Sequence, residues 1–154
     1  MKLRHLLYLL FALPLMCSCN TEDDIDEIFV SGPWNVVNYF GKANWEKENG
    51  EPVYKGDKEG IEALKIISNF SITFNEDGTF IGMMQNNSTF NGTWQANGKD
   101  RRIDLHIQGS PNTSTRYNRE FIDHLKNAYY YKGDSNVLLL APEGKKTYIQ
   151  LRHK

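Results

Sequence analysis

The chain is short of the parts that most enzymes display. Its 154 residues hold two cysteines, Cys17 and Cys19, both ahead of Asn20. Everything after them lacks the thiols for a disulfide framework, a Cys-rich metal site or a cysteine nucleophile. There is no Gly-x-Ser-x-Gly elbow and no phosphate-binding loop. His106, His124 and His153 share no metal-ligand spacing on one element. The apolar run Leu6 to Met16 is too short to span a bilayer as a helix. An excess of one charge is missing too, with 18 Lys and Arg against 19 Asp and Glu. No basic patch interleaved with aromatics appears, which argues against nucleic acid. The paired carboxylates Glu76 and Asp77 fall in a turn, where water would keep their pKa values ordinary. The least unsuitable hydrolytic pair is His106 with Asp104. The expectation is a protein without enzymatic activity, cofactor or metal.

What the chain does contain is alternation. From Asn69 to Ala96 it reads as three short strands, with Phe70, Ile72 and Phe74 on one face, then Phe80, Gly82 and Met84, then Phe90, Gly92 and Trp94. Asn75-Glu76-Asp77-Gly78 and Asn86-Asn87-Ser88 supply the turns. Gly82 and Gly92 inside strands signal bends, bulges or close backbone approach. Upstream, Trp34 to Phe40 is a strand with Trp34, Val36 and Phe40 on one face and Val37 and Tyr39 on the other. Gly41 to Lys58 reads as a long polar connection. Trp45 and Tyr54 within it are candidate ligand contacts, the favoured alternative for Trp45 being that it folds back over a sheet edge.

A short helix is expected from Asp57, its N-cap, to Ile67. Ile103, Leu105 and Ile107 alternate with Asp104 and His106 on a further strand. The main helix is expected over about 119–128, capped by Asn118 and striped by Phe121, Ile122, Leu125 and Ala128. Strands then follow at Tyr129–Lys132, Val137–Ala141 and Thr147–Leu151, the middle one apolar on both faces and so interior.

Lys2 and Arg4, the apolar run and Met16-Cys17-Ser18-Cys19 together resemble a bacterial lipoprotein leader. The resemblance implies a signal peptide over 1–18, acylation of Cys19, and an outer-membrane anchor. Without Lys2 and Arg4, 16 basic residues face 19 acidic ones, a net of −3. Asn20 to Glu27 is acidic, which gives a solvated tether over 19–29. It also resembles the surface-export signal of lipoproteins from Gram-negative gut anaerobes. That resemblance implies a cell-surface position, the alternative being a periplasm-facing anchor.

Residues 30–154 then form one domain. The Trp strand, the Asn87–Gly92–Trp94 segment, the Leu/Ile strand, a Thr-containing loop, the helix and a final hairpin resemble the META domain of bacterial heat-shock lipoproteins. Gly32–Trp34, Phe74–Phe80 and Gly92–Trp94 are also similar to small lipocalin-like lipoproteins. The helix placed before the last strands favours the META pattern. The fold expected is α+β: a mostly antiparallel, curved or barrel-like sheet of about seven or eight strands, with one main helix. The function expected is a non-enzymatic ligand-binding module for a small molecule, glycan or peptide, or else an accessory protein of an envelope complex.

Overall fold

The computed structural model describes residues 23–154. Their order is α1 (Ile25–Phe29), β1 (Trp34–Asn44), β2 (Asn49–Pro52), α2 (Lys58–Ile67), β3 (Ser71–Phe74), β4 (Thr79–Met83), β5 (Thr89–Asn97), β6 (Arg102–Gln108), α3 (Arg116–Lys126), β7 (Tyr130–Gly133), β8 (Val137–Ala141) and β9 (Tyr148–Arg152). All pairings are antiparallel. β1 pairs with β3 on one side and with β9 on the other, so eight strands close into a barrel. The ninth, β2, hairpins onto the far half of β1. The expected α+β antiparallel barrel with one main helix is therefore what forms.

Aromatic side chains fill the barrel. Phe70, Phe74 and Phe80 are fully buried or nearly so, as are Trp34, Tyr39, Phe121 and Tyr131. Phe121 of α3 packs on Phe70 at 5.5 Å and Phe90 at 5.8 Å between ring centres. Gly82 and Gly92 make room for this. A Cβ on Gly82 would lie 2.1 Å from Phe90 Cζ, and one on Gly92 would lie 2.2 Å from the His106 carbonyl oxygen. Close approach, among the readings open from the sequence, is the reason for both glycines.

Four expectations change. The acidic stretch is not wholly a tether, because α1 docks as a plug. Phe29 is fully buried, 5.0–5.2 Å from the rings of Phe74, Trp94 and Tyr131, and Trp34 Nε1 donates to its carbonyl at 3.2 Å. Second, a register shift between Val36 and Asn38 reverses the alternation of β1. Tyr39 thereby turns inward and Phe40 joins a cluster with Tyr148, against the expected facing. Third, the supposed long loop contains β2, so Trp45 sits at a hairpin tip. Fourth, α3 begins two residues before Asn118. Its N-cap is Thr115, whose hydroxyl accepts from Asn118 N at 3.1 Å. Asn118 is itself buried, its Oδ1 accepting from Gln85 N and its Nδ2 donating to Asn112 O. Asp57, by contrast, caps α2 as expected, accepting from Gly60 N at 2.7 Å.

Candidate functional site

A roomy cleft lies outside the packed barrel, at a thinly paired part of its wall. β6 and β7 share a single residue pair, Arg102 with Tyr130, because α3 is inserted between them in the chain. Beside this seam is a half-open cleft of about 840 Å³. Gln95, Asn97, Arg102 and Asp104 from the β5–β6 hairpin line one side, and Lys126 and Tyr129 line the other. The strand alternation turns Gln95, Arg102 and Asp104 outward, which puts them in the cleft. Gln95 Nε2 donates to Asp104 at 3.4 Å. The Arg102 guanidinium lies 4.5 Å over the Tyr129 ring and donates to its hydroxyl. A wall of this kind offers hydrogen bonds and both signs of charge, beside apolar surface from Ala96, Ala128 and Pro142.

Tyr54 belongs to a different place, a shallower depression of about 380 Å³ lined by Arg116, Arg119, Glu120, Asp123 and His124 of α3. Its hydroxyl donates to Glu120 at 2.5 Å. Burial, then the bond to Glu120, raises the Tyr54 phenol above its ordinary value. Burial also raises the Glu120 carboxyl, against the pull of Tyr54 and Arg116. His124 stacks on Tyr39 at 4.6 Å, and burial brings its imidazole down to about 4, with Asp123 only partly opposing. Among the described residues the Tyr39 hydroxyl, which is buried, finds no hydrogen-bond partner. Burial and nearby Glu120 hold its proton on. At neutral pH this cluster is uncharged at His124 and at both tyrosines.

Trp45 is in neither opening. It is 7% exposed and covers the outer faces of β8 and β9 with Leu139, Ala141 and Tyr148. Lys132 Nζ donates to its carbonyl at 2.8 Å and stands 5.3 Å from its ring. The structure places Trp45 in packing over β8 and β9, apart from the depression that Tyr54 lines. The outer cover also explains why β8 is apolar on both faces. Asp104 and His106 share the outer face of β6, but Asp104 accepts from Gln95 and is not placed as an orienting partner for the imidazole. Cys19 lies outside the described residues. The sequence does not reveal the seam cleft, because its residues come from the β5–β6 hairpin, the end of α3 with the residues just after it, and the turn after β8.

An antiparallel eight-stranded barrel with a solid interior and polar openings on its outside defines the class of protein. The sequence profile described as Domain of unknown function (DUF4847) matches residues 20–153, and the chain belongs to that family. The crystal structure of a DUF4847 family protein from Bacteroides vulgatus is similar at 56% identity and a TM-score of 0.79, covering 85% of this chain and 98% of that one. No curated protein matches the chain.

Proposed function

We propose that this is a lipid-anchored envelope protein, acylated at Cys19, that binds a small polar ligand in the seam cleft and catalyses no reaction on it. Saccharides are the first class to test. The observation that carries the reading is the cleft itself: about 840 Å³ of space walled by Gln95, Asn97, Arg102 and Asp104, next to a barrel whose interior is already full. The lipocalin-like and META-like likeness enters as kinship of architecture. A ligand held inside the barrel has no support, because aromatic rings occupy the axis. Anchoring at the outer membrane, facing the cell surface or else the periplasm, follows from the leader-like N-terminus and the acidic residues behind Cys19.

The test is a thermal-shift screen of the chain from Asn20 against glycans, bile acids, fatty acids, peptides and metal ions. A ligand at about 100 times its Kd adds about 2.7 kcal/mol, a shift of several degrees. Arg102→Ala and Asp104→Ala are expected to reduce the shift for the true ligand, while Tyr54→Ala leaves it. A shift that survives both cleft variants moves the site elsewhere. A second reading, docking to an envelope partner, is favoured by Ile81 and Met83, which point outward from β4 and are exposed. Crosslinking on intact cells that returns a specific neighbour, lost in Ile81→Lys, would support it.

A further inference from the structure

The N-terminal segment is pinned to one end of the barrel almost to its first described residue. Asp23 N donates to Gly98 O at 3.5 Å in the β5–β6 turn. Its carboxylate takes two bonds from the Arg101 guanidinium, at 3.0 and 3.2 Å, and accepts from the Tyr131 hydroxyl at 3.1 Å. Five and six residues further on, Ile28 and Phe29 seal the helix into the core. β1 leaves from this end, so the antiparallel order places the β3–β4, β5–β6 and β7–β8 turns here. Gln85–Asn87 and the start of α3 lie at the other end.

We infer that this pinning fixes how the domain stands on a lipid surface: the end bearing the β3–β4, β5–β6 and β7–β8 turns faces the bilayer, and the end bearing Gln85–Asn87 and the start of α3 faces away. The inference rests on the acylation of Cys19 proposed above. Only Asn20, Thr21 and Glu22 separate Cys19 from Asp23. Four Cα steps reach at most about 14 Å, whatever their conformation. A folded body of this many residues is about 36 Å across by size scaling. The leash is shorter than half that width, so the far end does not reach the headgroups. Charge does not set the orientation. The facing turns carry Glu76, Asp77, Asp100 and Asp134 against Lys99 and Arg101, α1 adds Asp26 and Glu27, and the end of β9 brings Arg152 and Lys154, so acidic groups stay in excess. Such a surface has no attraction for anionic lipid, so the orientation is insensitive to salt. The seam cleft, with Asn97 and Asp100 in its wall, then opens beside the membrane-facing hairpin, and the Tyr54 depression opens towards the half that faces away.

The experiment uses the acylated protein from cells, reconstituted in phosphatidylcholine vesicles that carry an acceptor dye on a minority of headgroups. Donor dyes are placed one at a time on azide-bearing residues at Lys99 and Ser135 on one end, and at Asn87 and Thr113 on the other. Energy transfer from Lys99 and Ser135 is expected to be at least about twice that from Asn87 and Thr113, at low and high salt alike. Inserting about twelve Gly and Ser residues before Asp23 lengthens the leash to the scale of the domain, and should level the four signals. Equal transfer from all four positions without the insertion overturns the inference. If mass measurement finds no acyl chain, the anchoring proposal fails by itself. The orientation is then read on the chain from Cys19 coupled there to a maleimide lipid, where the same inequality is required.

Discussion

At Gly82 and Gly92 two phenylalanine rings run through the space that a side chain would occupy. The two sites differ in what would have to give way. Opposite Gly82 it is a ring edge, whereas opposite Gly92 it is the backbone carbonyl of His106. Gly92→Ala is therefore expected to cost more than Gly82→Ala, the latter about 1–3 kcal/mol by the usual scale of overpacking, measured by urea unfolding. His124 gives a test in pH. The unfolded imidazole protonates near its ordinary 6.5, whereas the folded one does so only at about 4. Between those values the unfolded chain binds more protons, so stability is full above pH 6.5 and falls as the pH drops towards 4, by up to about 3 kcal/mol. The raised Glu120 carboxyl works in the opposite sense, because the folded state keeps its proton longer and loses stability as the pH rises through that titration. His124→Phe keeps a ring on Tyr39 and removes the acid-side loss, so melting temperatures at pH 4.5 and 7 should lie closer together than in the parent. The glycines could be singled out from the sequence because strands disfavour them. The His124, Tyr39, Glu120 and Tyr54 cluster could not, since alternation assigns a residue to a face but does not say which distant element meets it. One bulge near Val37 was enough to exchange Tyr39 and Phe40.

Among the elements, α1 carries the sharpest consequence. Deleting residues 23–29 would be nearly neutral if they were only a solvated tether. With Phe29 as a plug, Phe29→Ala alone is expected to cost about 3–5 kcal/mol in chemical unfolding, and the deletion more. The Trp45 hairpin makes a separate claim. Trp45→Ala should lower the melting temperature by uncovering Leu139 and Tyr148, yet leave any ligand-induced shift from the seam cleft unchanged. The central meander, α2 and α3 were legible because period-2 and period-3.6 patterns run uninterrupted there. α1 was obscured by five acidic residues between Glu22 and Glu27, which read as solvated charge while Ile25, Ile28 and Phe29 carry the packing. β2 was hidden by its polar sequence, since a strand hairpinned to the outside of a barrel buries little and shows no alternation.

On the scale of the whole molecule, the barrel wall from β3 to β9 is built in chain order, each strand beside the one made just before it. Its closure is the exception. β1 meets β9 through pairs such as Asn35 with Arg152 and Phe40 with Tyr148, which lie 117 and 108 positions apart. The consequence is kinetic. Hairpins along β3 to β6 close short loops and form early, whereas joining β1 to β9 must wait for the last strand and must overcome the entropy of a long loop. Until the last strand is in place, the refolding chain therefore carries an open curved sheet, with the edge of β1 unpaired on the β9 side. Changes in the β1–β9 ladder, such as Ile149→Ala, are expected to slow the last refolding phase, while changes in the β3–β4 hairpin act on an earlier one. Stopped-flow tryptophan fluorescence would separate the two, because Trp34 sits at the closing strand and Trp94 sits in the meander that forms first.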